Sequence, residues 1–315
     1  MAAVETTAAP AAGPAPLRAA RPSLARAAAW MSGWLALMVT IAVAGREAAR
    51  HVPVLEMMEL RSVIGFVLLL PLVWQAGGFA AMRSARPLVH LGRNVVHYGA
   101  QFGWFYAVTL IPIGQVVAIE FTMPIWTALL AAWFLHERMN APKIAAIVLG
   151  LVGVWMIVRP EPGGANSVGQ AISLVAAVGF SIALTMVKSL TGTDSVVRII
   201  FWMCVLQSAI GLVPAALVWR TPTLAGWPWI VLVAFCGTFS HYCMARAMRH
   251  ADATVVVPMD FLRVPLTAIA GWLVYAEGID AWSVAGALLI LAGNVLNVRG
   301  GRRSLSAPTA DARRA

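Results

Sequence analysis

Ten stretches of mostly apolar residues follow one another along this chain, with short polar or basic breaks between them. A helix needs about 20 apolar residues to cross the hydrocarbon core of a bilayer, and charges, Pro and Gly mark where such helices end. The pattern predicts ten membrane-spanning helices, at approximately residues 29–46, 57–76, 88–109, 114–134, 143–159, 168–188, 198–219, 227–247, 254–275 and 281–298. Because the connections are short, neighbouring spans are expected to pack as antiparallel hairpins, and any chemistry must lie within the bundle.

Composition supports a membrane protein. Of the 315 residues, 60% are hydrophobic and 11% are charged, which is more apolar side chain than a soluble domain of this size buries. Residues 1–27 and 300–315 are polar and are expected to be disordered tails, and the first lacks the apolar core of a secretory signal. The three cysteines lie in apolar runs without metal-ligand spacing, so neither a disulfide, a metal site nor a cofactor is predicted.

The basic residues predict the orientation of the chain. The net charge is +10, but Lys and Arg sit in the breaks between apolar runs, which argues against nucleic acid as a partner. Of the 23 Lys and Arg, 17 fall on the side of both termini, Arg263 lies within a span, and five fall on the other side: Arg46, Arg50, Arg61, Arg159 and Arg220. By the positive-inside rule we expect a multi-pass protein of a bacterial inner membrane with both termini in the cytoplasm.

The two halves of the chain resemble each other at an offset of 140 residues. The offset aligns Glu120 with Asp260, Phe121 with Phe261, Glu137 with Glu277, Gly153 with Gly293 and Arg159 with Arg299, while Pro124 and Pro265 miss by one position. Five spans per half is an odd number, so the halves, residues 28–160 and 166–299, must lie in the bilayer with opposite orientation. The sequence therefore predicts an all-α integral membrane protein of ten transmembrane helices in two five-helix inverted repeats.

Two segments carry a resemblance to a known family. Residues 124–159 (PIWTALLAAWFLHERMNAPKIAAIVLGLVGVWMIVR) and 265–299 (PLTAIAGWLVYAEGIDAWSVAGALLILAGNVLNVR) each read as proline, apolar run, glutamate, then a Gly-containing span that ends at a basic residue. This pattern resembles the drug/metabolite transporter superfamily, specifically its EamA-like members. The second copy is one residue shorter between Pro265 and Glu277. The resemblance implies a ten-span transporter, without enzymatic activity, for a solute such as an amino acid, riboflavin, S-adenosylmethionine or a metallophore.

Three ionisable residues are the first candidates for a binding site. Asp260 and Arg263 are one helical turn apart and lie about 9 and 13 Å inside one membrane boundary, and Glu120 lies about 9 Å inside the other. Ionised groups at such depth cost about 2.5–3.5 kcal/mol each on insertion scales, so they must face the interior. Pro124 and Pro265 are expected to break the helices beside these acids and to free carbonyl groups. The alternative is a salt bridge that only fixes helix packing.

A polar and aromatic stripe gives further candidates. Arg93, His97 and Gln101 recur every four residues on the third span, followed by Trp104, and Gln101 aligns with His241, next to Tyr242, in the eighth. The stripe is predicted to line a cavity for a planar or amphipathic solute, in which the aromatic rings offer stacking faces. Interhelical hydrogen bonds are the alternative for His97 and His241. Arg93 is interpreted as a cytoplasmic anchor.

Other residues are interpreted as structural. Glu137 and Glu277 lie at span ends, where they are predicted to cap helices or to pair with bases. Close helix packing is predicted at five small residues, Ala146, Gly150, Gly153, Gly286 and Gly293, and Asn294 and Asn297 are predicted to bond across that seam.

A carrier accounts for these features better than the other classes of membrane protein. An intramembrane lipid-modifying enzyme would need a catalytic constellation, and the sequence holds no HExxH or GxSxG motif. The sequence also lacks the GxxxxGK[ST] phosphate loop of ATP-driven transport. A non-transporting scaffold would not need charged residues at matching depths in the two halves. We expect a secondary carrier of a small polar or ring-bearing metabolite, with a proton taken up by Asp260 or Glu120 as possible coupling. Neither the substrate, the direction of transport nor the oligomeric state follows from the sequence.

Overall fold

The described part of the chain is built from helices. A computed structural model describes residues 23–134, 141–158, 165–251, 256 and 259–305. The helices are α1 (Leu24–Ala49), α2 (Val54–Gln75), α3 (Pro87–Leu110), α4 (Ile113–Glu120), α5 (Met123–Phe134), α6 (Ala141–Val158), α7 (Ala165–Leu190), α8 (Val196–Leu217), α9 (Trp227–Met248), α10 (Arg263–Tyr275) and α11 (Ala281–Leu305), and a short 3-10 helix covers Phe79–Met82. The protein is an all-α integral membrane protein of ten spans, as the sequence predicts.

Hydropathy identifies the helices that can cross a bilayer on their own. Five described helices are long and apolar enough to do so: α1, α2, α7 from Ser167, α8 and α9. The fourth span is divided into α4 and α5. Large apolar side chains such as Val67, Leu88 and Leu212 are exposed on the outside of the bundle, where lipid replaces water.

The breaks in the fourth and ninth spans lie beside the two acids. The turn at Phe121–Thr122 separates α4, which ends at Glu120, from α5, and a turn at residues 261–262 precedes α10. Pro124 lacks the N–H that a continuous helix would direct at the carbonyl of residue 120, so a helix breaks readily there. Asn294 of α11 satisfies part of the broken backbone, because its Nδ2 donates to the carbonyl of Phe121 at 2.8 Å.

Helix packing follows the two-fold relation between the repeats. In the first half, α1 packs against α9, and its counterpart in the second half, α7, packs in the same way against α3. The pairs α2 with α8, α4 with α10 and α6 with α11 each join equivalent spans of the two halves. The halves are therefore interlocked, and each span packs largely on the opposite repeat.

The seam between α6 and α11 depends on two glycines. A Cβ atom added at Gly153 would lie 2.5 Å from the carbonyl oxygen of Gly286, and one added at Gly286 would lie 2.5 Å from the carbonyl oxygen of Gly153. The two backbones thus touch where the helices cross, which confirms the predicted close approach at these positions.

Several helix ends differ from the predictions. Helix α1 begins at Leu24, inside the predicted N-terminal tail, because Ser23 caps it by accepting a bond from the N–H of Arg26. Helix α11 continues to Leu305, past the predicted end of the second repeat at residue 299, since no proline interrupts it before residue 308. Glu137 and Arg159 lie outside the described residues, as do the side chains of Ala146 and Asn297. All three cysteines are free.

Buried polar contacts tie the two halves together at each end of the bundle. At one end Arg46 of α1 pairs with Glu277, donates to the carbonyls of Val108 and Ile111, and lies 4.7 Å from the ring centre of Tyr275. Glu277 also accepts from the N–H of Ile113 at 3.0 Å. The prediction that Glu277 pairs with a base is confirmed, and we call these residues the Arg46 cluster.

At the other end of the bundle, the carboxylate of Asp194, in the loop before α8, makes the polar contacts that join the two halves. It accepts from Ser84 Oγ at 2.9 Å and from Arg198 at 2.8 Å, and it lies 3.3 Å from Nε2 of His90. Arg198 also donates to the carbonyl of Ala81. Residues of the second repeat are thereby bound to the loop before α3, and we call this group the Asp194 cluster.

Asp194 makes stability depend on pH. Burial raises the pKa of this carboxyl, but the hydrogen bonds from Arg198, Ser84 and His90 outweigh burial and hold the pKa below its ordinary value. Ionised Asp194 therefore stabilises the fold above the ordinary pKa of about 4, and the contribution is lost as the pH falls through the folded-state pKa. We expect Asp194→Asn to lose about 2 kcal/mol of stability at pH 7. Thermal unfolding in detergent should show the gap between wild type and variant closing below pH 4; a gap that is the same at pH 7 and at pH 3 would contradict this assignment.

Candidate functional site

The centre of the bundle holds one arginine between two acids, one from each repeat. A terminal nitrogen of Arg263, at the start of α10, lies 2.8 Å from Oε1 of Glu120, at the end of α4. Its Nε lies 3.6 Å from Oδ1 of Asp260, one turn before it on the same span. Arg263 is 4% exposed and Glu120 is 9% exposed, so the pair is shielded from both lipid and water. We call the three residues the central triad.

Aromatic side chains surround the triad and complete its hydrogen bonds. The indole N–H of Trp104 donates to Oε2 of Glu120 at 2.8 Å, and that of Trp34 donates to Oδ1 of Asp260 at 2.5 Å. The guanidinium of Arg263 lies 4.7 Å from the ring centre of Phe121, which packs edge-on against Phe261. Both acids are thus bonded to an indole and paired with one cation, and flat apolar surfaces lie beside the charges.

A second polar cluster lies between α2, α3 and α8. A terminal nitrogen of Arg61 donates to Oε1 of Gln101 at 2.7 Å and to Oε1 of Gln207 at 2.9 Å. The amide of Gln207 lies 2.7 Å from Nδ1 of His97, whose ring packs against Phe180 of α7. Arg93 lies one turn before His97 on α3 and is 5% exposed, as is Arg61. We call Arg61, Arg93, His97, Gln101 and Gln207 the arginine cluster.

The two remaining candidates, His241 and Tyr242, differ in their contacts with the central triad and the arginine cluster. The ring of His241 lies 6.2 Å from that of Trp34, which is bonded to Asp260. His241 is also within electrostatic range of Arg93 and Arg61, so it is near both Trp34 at the central triad and the arginine cluster. Tyr242 instead packs edge-on against Trp30, one turn nearer the start of α1, and beside Arg246.

Two interpretations from the sequence are wrong. The sequence counts Arg61 with the basic residues of the non-cytoplasmic side and interprets Arg93 as a cytoplasmic anchor, yet both arginines are buried in the bundle interior. Position near a span end suggested exposure, but α2 begins at residue 54 and α3 at residue 87, so both arginines lie about two turns inside their helices. The available signals were the position of Arg61 inside the predicted span at residues 57–76 and the spacing of four between Arg93 and His97.

The described side chains of the interior can bind a charged organic solute. No group of three His, Cys, Asp or Glu side chains suited to a metal ion occurs within the described ranges. Instead the interior offers separated charges, hydrogen-bonding amides and flat aromatic rings, a combination suited to a solute with charged groups and an apolar or planar part.

Comparisons with known proteins agree with this architecture. The model of the EamA-like transporter family matches residues 26–159 and again residues 167–299. A solved crystal structure superposes with a TM-score of 0.64 at 18% identity, covering 90% of this chain and 100% of the other, which supports the fold.

Curated relatives are named as transporters of different solutes. The chain is 31% identical to a riboflavin transporter of Rhizobium johnstonii, over 70% of this chain and 74% of the relative. It is 24% identical to an S-adenosylmethionine uptake transporter of Rickettsia prowazekii, over 80% and 85%. It is 28% identical to a pseudopaline exporter of Pseudomonas aeruginosa, over 78% and 86%. These names agree with a transporter, the class that the sequence predicts, and not with an enzyme.

Proposed function

We propose that this chain, which belongs to the EamA-like transporter family, is a secondary carrier that moves a small polar or ring-bearing metabolite by alternating access. The observation that carries the proposal is the central triad, in which acids from the two repeats share Arg263. Ionisable groups inside a membrane are costly and mark solute pathways, and inverted repeats place solute sites at their interface.

The chemistry of the triad favours a zwitterion or another solute with a basic group. Two acids and one arginine leave an excess of one negative charge, so a basic group of the solute is expected to pair with Glu120 or Asp260. Trp34, Trp104 and Phe121 offer flat faces to a ring. Among the solutes named for the relatives, S-adenosylmethionine carries charged groups and a ring, and riboflavin carries a ring alone, so these two are the first to test.

The polar clusters at the two ends support an alternating mechanism. The Arg46 cluster joins α1 and α3 to the end of α10, and the Asp194 cluster joins α8 to the loop before α3. Both clusters join the first repeat to the second, and both are formed in this structure. A carrier of this design opens one end by breaking one cluster while the other stays closed, so that the solute site meets each side in turn.

Coupling to protons would act through the triad. If Glu120 or Asp260 takes up a proton, its attraction for Arg263 is lost, and the arginine pairs with the other acid alone. Protonation would thus switch the pairing of Arg263 between an acid of the first repeat and an acid of the second, which is the change that alternating access needs.

We further propose that both termini are cytoplasmic and that the membrane is the inner membrane of a bacterium. A reporter active only outside the cytoplasm, fused after residue 305, should be silent.

Uptake into proteoliposomes tests the coupling. Radiolabelled S-adenosylmethionine and riboflavin are the first solutes, with and without an imposed pH gradient. We expect a transported solute to accumulate several-fold more with the gradient, and either Glu120→Gln or Asp260→Asn to remove the stimulation. Uptake that ignores the gradient would exclude proton coupling and leave the carrier proposal to be judged on transport itself.

A further inference from the structure

The arginine cluster contains two buried cations without an acid to neutralise them. Within the described ranges, no carboxylate lies at ion-pair distance from Arg61 or Arg93, whereas Arg263 has two. Among the described residues, Arg61 bonds only to the neutral amides of Gln101 and Gln207, and Arg93 only to Asn94. In the part of the chain that the structure describes, Nε of each arginine has no hydrogen-bond partner.

The acid nearest to Arg61 in sequence does not compensate it. Glu59 is two positions earlier on α2 and therefore projects from a different side of the helix, where it accepts a bond from Ser208 of α8. The other titratable groups in electrostatic range of one or both arginines are His97 and Tyr98 of α3, His241 of α9 and Cys204 of α8, and none of them is an acid that pairs with either guanidinium. The arginine cluster is therefore positively charged.

An arginine side chain stays protonated in proteins, so this burial is not relieved by loss of the proton. A buried charge without a counter-ion costs several kcal/mol, and a chain selected for stability alone would pair it or replace it with an apolar residue. The planar guanidinium matches carboxylate and phosphate oxygens with two parallel hydrogen bonds. Gln101 and Gln207 hold Arg61 through one terminal nitrogen, which leaves its other donors for a ligand.

We propose that Arg61 and Arg93 bind an anionic oxygen group, a carboxylate or a phosphate, of the transported solute. This inference rests on the proposed function and deepens it, because it assigns a second contact point on the same solute. His241 is near both the arginines and Trp34, whose indole is bonded to the central triad, so it links the two groups. A solute with a basic group at the acids and an acidic group at the arginines would extend from one group to the other, with its planar part against the indoles.

Thermal unfolding of the purified full-length protein in neutral detergent tests the anion site. The probes are sodium phosphate and sodium succinate, titrated against sodium chloride at constant ionic strength. We expect both probes to raise the unfolding temperature saturably above chloride. The apparent dissociation constant should rise at least tenfold in Arg61→Gln and Arg93→Gln, and less in Arg61→Lys, which keeps the charge. Arg249→Gln, which removes an exposed arginine after α9, should respond as the wild type does.

The ligand-free proteins separate binding from a structural role. If the arginines bind the solute, removing an unpaired charge leaves the ligand-free unfolding temperature unchanged or raises it. A structural role predicts a lower unfolding temperature and an unchanged anion response. The inference is overturned if phosphate and succinate act no differently from chloride on the wild type, or if the glutamine variants keep the full response.

Two further comparisons identify the source of the anion and separate this inference from the proposed function. Adding phosphatidylglycerol to the micelles should leave the succinate response intact; abolition of that response would assign the site to a lipid headgroup. In proteoliposomes, a transported acid should move at least tenfold faster than its carboxamide. Equal rates for the acid and the carboxamide would reject the anion site while the carrier stands. An anion response that persists without transport of any solute would leave the site standing and reject the carrier.

Discussion

Arg263→Gln is expected to abolish transport and to lower the unfolding temperature more than any other single change in the central triad. The substitution leaves Glu120 and Asp260 in the interior without a cation, and breaking a buried ion pair on one side costs about 3–5 kcal/mol. For a protein of this size that corresponds to a fall of roughly 10 °C. Melting curves in detergent and proteoliposome transport measure the two effects.

Variants of Glu120 and Asp260 measure how much each acid contributes to the stability of the central triad. Glu120→Gln should destabilise more than Asp260→Asn, because Glu120 lies at 2.8 Å from the guanidinium and is more deeply buried. The double variant Glu120→Gln/Arg263→Gln should recover part of the stability lost in Arg263→Gln, and it should still fail to transport. Wild-type transport by a folded double variant would show that the triad only fixes helix packing.

Gly153→Val is expected to disrupt the seam between α6 and α11. The new Cβ would lie 2.5 Å from the carbonyl oxygen of Gly286 and 2.7 Å from Cγ1 of Ile290, and a backbone carbonyl cannot move aside without shifting its helix. We expect a loss of about 3 kcal/mol, near the upper part of the usual range for overpacking. The yield of folded protein and its unfolding temperature measure this loss.

Gly99 provides a matched control in the same bundle. It lies in α3, and an added Cβ would meet nothing within 4 Å. Valine has a slightly higher helix propensity than glycine, so Gly99→Val should be neutral or slightly stabilising. Equal destabilisation by both substitutions would show that helix propensity, and not the contact with Gly286, causes the loss of stability in Gly153→Val.

The sequence predicts the fold well because the bilayer restricts the alternatives. Ten apolar runs of spanning length, an odd number per half and matched acids at an offset of 140 residues lead directly to the inverted repeat. Helix ends are less predictable, because single contacts decide them. Ser23 extends α1 towards the N-terminus, and no breaker stops α11 at Arg299.

The site is only partly predictable for a related reason. The pairing of Asp260 with Arg263 follows from their spacing on one helix. The shorter contact, from Arg263 to Glu120, joins residues 143 positions apart and depends on how α4 and α10 cross. Arg61 and Arg93 illustrate the limit most clearly, since sequence position alone does not distinguish an arginine that reaches the membrane surface from one that points into the bundle.

Comparison of solute pools in cells tests the central claim, that the triad lies on the path of a transported metabolite. Cells that contain wild type or Arg263→Gln at equal membrane levels would be analysed by untargeted mass spectrometry of the cells and of the medium. The account predicts that at least one small charged solute redistributes across the membrane with wild type and not with the variant. The same redistribution with both proteins, or none with either, would contradict it.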